Sequence, residues 1–403
     1  MDKNKKKLIS NILTRGVENI IPSKEKLEKE LQGDRKLNIY LGIDPTATRI
    51  HLGHAFPLRR LAWFVELGHN VTFLIGDFTA LIGDTSDKDK ERPVLTYEQI
   101  KENFASYQSQ AEKFLDFSKV KVVHNSEWLS KLGFDDVVKL ARHFTLNDFI
   151  SRELIKKRLT EGTSVSLPEV LYPMMQGYDS YFMDTDIQIG GTDQTFNMQA
   201  GRTLQKDFRN KESFIIANGF LTGTDGRKMS KSWGNAIWLE DSPEEIFGKV
   251  MSVKDELLGE YFNLATNLSD EEILIHLESI KKGENPMKVK RILARQIVKE
   301  ISGEDKIIEA EKSFDDKVVN KTAGEDVLEI KVSSPLLGVD QLSVLALENK
   351  LIESKSEFRR LLDQGGIYLN DQRVDKAQIE LRLLQGENLV RLGKRKYLKI
   401  ITS

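Results

Sequence analysis

The sequence predicts an α/β protein: a mostly parallel, doubly wound sheet, followed by a helical domain and a small C-terminal α+β module. Three observations carry this. Short apolar runs alternate with stretches of helical periodicity over the first 240 residues, the order expected when crossover helices join parallel strands. After Trp238 the texture turns to charged helical sequence from Pro243 to Ser313, with few strand signals. From Gln341 onward two helical stretches precede short strands. At 403 residues the chain exceeds one ordinary core, so several domains are expected.

In chain order, residues 1–36 read as two helical segments. The second, Ser23 to Leu31, opens on a serine cap in which Glu25 falls two places on rather than three. Strands are expected at Leu37–Ile43, Val71–Ile75, Val120–Val123 and Phe214–Ala217, with a helix over His51–Leu67. A polar stretch around Asp315 to Pro335 reads as a linker, and strands follow at Ile367–Leu369, Asn388–Leu392 and Tyr397–Ile401. The expected division is 1–36, 37–235, 236–318 (helical), 319–338 (linker) and 339–403.

Composition narrows the chemistry. With 39% apolar and 30% charged residues the chain suits a soluble globular protein, and with no cysteine neither a disulfide framework nor a thiolate zinc site can form. The basic start, Met1 to Lys7, precedes an apolar stretch broken by Ser10 and Asn11, which is too short for a secretory leader. No run approaches eighteen apolar residues, so a cytoplasmic protein without membrane contact is expected. Net charge is only -2, but its distribution is uneven. Glu161 to Ala200 holds six acids and no Lys, Arg or His, whereas Arg391 to Lys399 holds five bases and no acid. Different stretches therefore face different ligands.

Two short motifs stand out. Strand Leu37–Ile43 runs into Asp44-Pro45-Thr46-Ala47, and the next helix opens on His51-Leu52-Gly53-His54. Ligands bind outside the carboxyl ends of parallel strands, where a helix N-terminus offers unpaired N–H groups to anions. Gly53 removes a side chain there, and two histidines three apart can both donate to phosphate oxygens. A metal pair or two ordinary polar residues are the other readings; no third ligand follows at metal spacing, and neither a dinucleotide fingerprint nor a Walker loop is present. The second motif, Lys228-Met229-Ser230-Lys231-Ser232, follows the turn Thr224-Asp225-Gly226-Arg227, so that two lysines can move together onto a polyanion.

HLGH after a first strand, with KMSKS some 175 residues later, resembles the paired signatures of class I aminoacyl-tRNA synthetases. The resemblance implies a Rossmann-like catalytic domain that joins ATP to an amino acid and transfers the aminoacyl group to tRNA. Further runs, Tyr40 to Thr46, Ala80 to Asp84, Tyr172, Gln176 and Asp179 at i, i+4 and i+7, and Gln188 to Gln194, are similar to the bacterial tyrosyl-tRNA synthetases over nearly the whole chain. That family implies L-tyrosine, ATP with Mg²⁺ and tRNA(Tyr) as partners, no dedicated metal cage, and a homodimer formed around Phe144 to Leu159. By the same resemblance Tyr40 and Asp179 read the phenol, Asp84, Tyr172 and Gln176 the ammonium, and Gln188 and Gln194 make further substrate contacts. Gly42, Asp44, His51, Gly53, His54, Gly191, Asp193, Lys228, Met229, Ser230 and Lys231 form the ATP side. Thr46, His51, His54, Lys228 and Lys231, with Lys88 and Arg92 from the charged loop after Asp84, engage the phosphates during reaction.

The helix of Tyr172, Gln176 and Asp179 is expected to begin at Pro173, with Tyr172 just outside it. At the C-terminus, Ser354 to Asn370 resembles a small RNA-binding module shared with a ribosomal protein. There Ser356 can cap a helix that Gly365 and Gly366 end, and Arg359, Arg360, Lys394, Arg395 and Lys396 can face RNA phosphates. A tryptophan-specific relative would share the fold and both signatures, but gives no reason for the Tyr40 and Asp179 pair or for the C-terminal module. A non-catalytic RNA-binding protein on the same scaffold would have no need of His51, His54, Lys228 and Lys231.

Overall fold

In the computed structural model, residues 2–83, 95–229, 233–316 and 328–402 are described, apart from single positions 333, 350, 353, 371, 376, 394 and 395. The chain forms two compact units, 1–311 and 312–403.

The first unit is built on a six-stranded sheet: β1 (Val17–Ile21), β2 (Asn38–Ile43), β3 (Asn70–Ile75), β4 (Lys121–His124), β5 (Ile187–Gly191) and β6 (Phe214–Asn218), in the order β1-β6-β5-β2-β3-β4. All pairs are parallel except β1 with β6. From β2 the chain steps outward to β3 and β4, then returns to the other side for β5 and β6. The switch in strand order therefore falls between the carboxyl ends of β2 and β5, where an open sheet leaves a crevice for a ligand. Leu41, Phe73, Ile75, Ile189 and Ile215 are buried on this sheet.

Two strands differ from the expectation. The segment expected to be only helical holds helix Lys3–Thr14, then β1, then helix Lys24–Gln32. Strand β1 places Glu18 and Asn19 among its apolar residues, which is affordable at a sheet edge and hides the strand signal. In β5 the polar Gln188 is only 1% exposed, and the glycines give no β-branched run to recognise. Ser23 does cap its helix, accepting from Lys26 N–H at 3.2 Å, without the reciprocal glutamate.

The helix carrying Tyr172, Gln176 and Asp179 runs Leu167–Phe182, so its start at Pro173 is corrected. Ser166 and Glu169 cap it reciprocally, Glu169 Oε1 accepting from Ser166 N–H at 3.1 Å, and Pro168 occupies the first turn. Pro173 sits inside the helix and cannot donate to the carbonyl of Glu169, four residues back. Arg152 donates to that carbonyl instead, at 3.1 Å.

The helices expected as a separate domain, Pro243–Met251, Leu258–Ala265, Asp270–Lys281 and Pro286–Ser302, belong to the same compact unit as the sheet. Three buried arginines cover helix carboxyl ends, whose carbonyls lack intrahelical partners and carry partial negative charge, and two of them, Arg15 and Arg59, tie these helices in. Arg15 donates to the carbonyls of Phe262, Asn263 and Thr266. Arg59 donates to Leu264 and Ala265 and pairs with Glu300 at 2.8 Å. Arg60, fully buried, donates to the carbonyls of Ile12 and Arg15 at the end of helix Lys3–Thr14, with its guanidinium over Phe56 at 5.0 Å. Helix Leu52–Glu66, which carries both Arg59 and Arg60, is thereby fixed to both neighbours.

In the second unit, strands Gln372–Arg373, Ile367–Leu369, Gly386–Leu392, Lys396–Thr402 and Glu329–Val332 form one sheet, the last two parallel. Leu336–Gly338 pairs with Glu380–Arg382. The stretch read as linker therefore contributes two strands, and what kept them out of view is their brevity and their partners some 40 to 70 residues away. Helices Val339–Glu348 and Lys355–Asp363 pack on a core that includes Leu342, Phe358, Val390 and Leu398. Ser354, not Ser356, caps the second helix, accepting from Glu357 N–H at 3.2 Å.

Replacing Arg60 by Met keeps the apolar contacts but strands two buried carbonyls. We expect R60M to lower unfolding stability by about 2–4 kcal/mol in chemical denaturation, and to remove hydrogen-exchange protection from residues 3–21 first.

Candidate active site

A cavity of about 280 Å³ opens at the switch point and is lined by the carboxyl ends of β2, β3 and β5 and by the Tyr172 helix. Its walls include Tyr40, Asp44, Thr79, Asn125, Gln176 and Asp179. Among the described residues that line it are two carboxylates and no lysine or arginine. Such a lining suits a ligand that carries a cation and a hydrogen-bond donor.

One continuous chain of hydrogen bonds runs across the cavity. Tyr172 Oη donates to Asp44 Oδ2 at 2.8 Å, and Thr79 Oγ1 donates to Asp44 Oδ1 at 2.8 Å. Asn125 Nδ2 donates both to Thr79 Oγ1 at 3.0 Å and to Asp179 Oδ2 at 3.2 Å. Trp128 Nε1 donates to Asp179 Oδ1 at 2.7 Å. The carbonyl oxygen of the Asn125 side chain accepts from Phe78 N–H at 2.9 Å, so this fully buried amide is satisfied on every side. Gly76 makes room for the chain: a Cβ there would collide with Asp44 Oδ1 and Thr79 Oγ1.

At the far end burial pushes the Asp179 carboxyl up to about 8, against the pull of Trp128 and Asn125. Tyr40 is raised as well, by burial and by the nearby Asp179, so its phenol stays neutral and donates. Its hydroxyl reaches Gln188 Oε1 at 3.2 Å, from the position directly across the β2–β5 ladder. Gln188 Nε2 in turn donates to the Met198 carbonyl at 2.9 Å. Gln188 thus stands behind Tyr40 and outside the cavity wall, whereas Gln176 and Gln194 line it.

His54 also lines the cavity, with His51 beside it. His51 caps helix Leu52–Glu66 from outside, so the helix starts one residue later than expected. His54 Nδ1 lies 3.2 Å from the His51 backbone nitrogen and 3.3 Å from its carbonyl oxygen, which holds the His54 ring against the helix start. The two rings lie 4.0 Å apart, and His51 meets the edge of Trp238 at 5.8 Å. Burial pushes His51 down to about 2, with His54 and Lys228 adding to the effect, and pushes His54 down to about 4. Both are therefore neutral at pH 7 and can offer directed N–H groups in place of charge. Gly53 leaves room for the His51 ring, since a Cβ would stand 3.1 Å from it.

Thr46 lies on the cavity wall, in a loop pinned by helix Tyr97–Ala111: Asn103 Nδ2 donates to the Pro45 carbonyl and Gln110 Nε2 to the Thr48 carbonyl, both at 2.8 Å. Gly42 also lines the wall, and Gly191 and Asp193 follow at the end of β5. Lys228 is exposed, with its ammonium 5.2 Å from the Phe220 ring, and Met229 is buried beneath it. Asp84, Lys88, Arg92, Ser230, Lys231, Lys394 and Arg395 lie outside the described residues. In the second unit Arg359 and Arg360 are exposed on one helix, while Lys396 pairs with Glu357 of that helix at 3.2 Å.

Asp44, expected on the ATP side, stands in the cavity as the acceptor for Tyr172 and Thr79. Reading the sequence missed Gly76, Thr79, Asn125 and Trp128. Position could have found three of them, since Gly76 and Thr79 follow β3 and Asn125 follows β4 at the same edge of the sheet.

A family model described as tRNA synthetases class I (W and Y) matches residues 32–317, and the chain belongs to that family. Over nearly its full length it is similar to proteins named tyrosine--tRNA ligase. It is 41% identical over 397 residues to that of Carboxydothermus hydrogenoformans, covering 97% of both chains. With that of Thermotoga maritima it shares 38% identity over 391 residues, 96% of both. Among solved structures, a C-terminally truncated mitochondrial tyrosyl-tRNA synthetase of Aspergillus nidulans matches with TM-score 0.63 at 23% identity, over 76% of this chain and 93% of that one. The tyrosyl-tRNA synthetase of Archaeoglobus fulgidus, complexed with L-tyrosine, gives 0.60 at 23% over 76% and 100%. At such identity these structures speak for the fold.

Asn125→Ala would remove the donor to Asp179 Oδ2 and Thr79 Oγ1, while the Phe78 N–H would keep Asp77 Oδ1 at 3.0 Å. A loss of about 2 kcal/mol in stability is expected by denaturant titration, together with a further rise of the Asp179 carboxyl followed by NMR.

Proposed function

We propose that the chain is a tyrosine–tRNA ligase that joins tyrosine to ATP, releases pyrophosphate, and passes the tyrosyl group to tRNA(Tyr). The observation that carries the reading is that Tyr40 and Asp179 line one cavity, whose other carboxylate, Asp44, is held by Tyr172. A phenol hydroxyl entering there can donate to Asp179 and accept from Tyr40 once the Tyr40 proton turns to it from Gln188, while the ammonium settles among Asp44, Tyr172 and Gln176. Phenylalanine would leave Asp179 and Tyr40 buried without that partner. Tryptophan would have to fit its indole against the same two groups. The family and the near-full-length relatives support the same activity.

The tyrosine carboxylate is itself the nucleophile, so no serine, cysteine or general base is required and the rate comes from positioning and charge stabilisation. Thr46 and the neutral imidazoles of His51 and His54 would bond the phosphate oxygens as the α-phosphate becomes pentacoordinate. Lys228 and Lys231, with Lys88 and Arg92, would balance the charge that develops on the departing pyrophosphate. Gly191 and Asp193 would hold the ribose. Magnesium arrives with ATP as part of the substrate. In the second unit, Arg359 and Arg360 offer exposed cations to an RNA backbone. Self-association would draw on the exposed Leu146 and Leu159 and on Phe134, 85% exposed nearby in sequence.

Exchange of pyrophosphate into ATP tests the reading: it should run with tyrosine and fail with tryptophan or phenylalanine, and exchange with tryptophan alone would overturn it. Lys228→Ala should slow exchange by roughly a hundredfold or more, with tyrosine affinity held within about twofold; equal losses in both would remove Lys228 from the transition state. Proton release gives a further check. The Asp179 carboxyl, protonated below about pH 8 in the ligand-free protein, must ionise to accept the phenol hydrogen bond fully. Tyrosine affinity should therefore rise from pH 6 to 8, with up to one proton released near pH 7 by calorimetry in buffers of different ionisation enthalpy. Asp179→Asn should abolish that release.

A further inference from the structure

Thr222 stands where the chain leaves β6 for the second signature motif, and it pairs with Lys228 in an isolated antiparallel bridge. In the turn between them Gly223 N–H donates to the Arg227 carbonyl at 2.7 Å, and the Lys228 carbonyl accepts from Asn235 Nδ2 at 3.2 Å. The Lys228 backbone is thus registered against Thr222, whatever its ammonium meets. Thr222 is itself held by two consecutive residues of helix Leu258–Ala265. Glu260 takes the Thr222 N–H on Oε1 and the Thr222 hydroxyl on Oε2, the latter at 2.9 Å. Tyr261, 0% exposed, donates its hydroxyl to the Thr222 carbonyl at 2.8 Å. Every polar group of Thr222 therefore meets the first turn of that helix. Its last turn is held by Arg59, which donates to the carbonyls of Leu264 and Ala265, both at 3.0 Å. Arg59 belongs to helix Leu52–Glu66, whose first turn carries His54. The downstream flank of the motif reaches the start of that same helix directly: Leu52 N–H donates to the Ile237 carbonyl at 2.8 Å, and Leu239 N–H to the Ile50 carbonyl at 3.1 Å.

We propose that Glu260 is a positioning residue for ATP activation: through its hold on Thr222, helix Leu258–Ala265 is a strut that fixes the Lys228 backbone relative to the helix opened by His51 and His54. The inference rests on the reading of this cleft as the ATP site. A helix of 8 residues spans about 12 Å and keeps its length, so groups tied to its first and last turns are held at a set separation. The reaction needs such a separation. The imidazoles and the lysine must meet one phosphate chain from different elements, and a misplacement of about 1 Å can cost roughly a hundredfold in rate. What Thr222 requires is an acceptor for its N–H and a partner for its hydroxyl. A carboxylate supplies both as acceptors, whereas a carboxamide would accept from the N–H and donate to the hydroxyl oxygen, so shape rather than charge is the requirement. Alanine would remove both at once.

The test uses pyrophosphate exchange on the full chain. Glu260→Ala should lower kcat about tenfold while KM for tyrosine stays within about twofold. Glu260→Gln should recover most of that loss. In a Lys228→Met background Glu260→Ala should have no further effect, since the lysine it positions is gone. Should Glu260→Ala fail to fold by circular dichroism, Thr222→Val carries the same comparison. It keeps the N–H bond, loses only the hydroxyl, and should lower kcat about two- to threefold, again only where Lys228 is present. An equal loss in both backgrounds, no loss in the folded variant, or no recovery in Glu260→Gln would reduce Glu260 to a packing residue and overturn the proposal. Absence of tyrosine-dependent exchange in the unaltered chain would instead overturn the ATP-site reading beneath it.

Discussion

Asp179 is a buried carboxylate held at two oxygens by Asn125 and Trp128, and the architecture around the cavity follows from the need to keep it there. An isolated buried carboxyl is costly and tends to take up a proton. Each donor is positioned by another element: Asn125 by the end of β4 and the Phe78 N–H, and Thr79 by the turn after β3. The opposite carboxylate, Asp44, is reached through the same chain, so the two ends of the cavity are coupled through side chains that meet no solvent. A change at Thr79 or Asn125 would be felt at both ends, although their primary job is support.

The contrast between the two ends of the cleft is electrostatic. Within the cavity, acceptors predominate and the surroundings keep Tyr40 neutral. His51 and His54 are buried deeply enough to stay neutral, and the positive charge is carried by the exposed Lys228. Neutral dipoles on the sheet side and a cation on the loop side are thus set apart.

Much of this was legible in the sequence because it is local. Parallel strands β2, β3, β4 and β6 announce themselves as apolar runs, and the motifs at 51–54 and 228–232 carry the resemblance to the family. Tyr172, Gln176 and Asp179 share a face because seven residues make two helical turns, a relation that survives the earlier helix start. The unread features depend on distant partners. Strand β1 is an edge strand with polar residues, Asn125 and Trp128 gain meaning only when β4 comes beside the Tyr172 helix, and the Arg152 bond that lets Pro173 sit mid-helix is invisible without the fold. Asp44 looked like a phosphate-side residue because it follows a strand, and only Tyr172 and Thr79 show which way it turns.

The antiparallel edge strand also imposes an order on how the protein is made. Val17 pairs with Asn218, some 200 residues later, and the Arg15 guanidinium waits still longer for its carbonyls at Phe262 to Thr266. At roughly 5–20 residues per second of synthesis, β1 remains without its partner β6 for about 10–40 seconds. Helix Lys3–Thr14 is met much sooner, since Arg60 reaches the carbonyls at its carboxyl end.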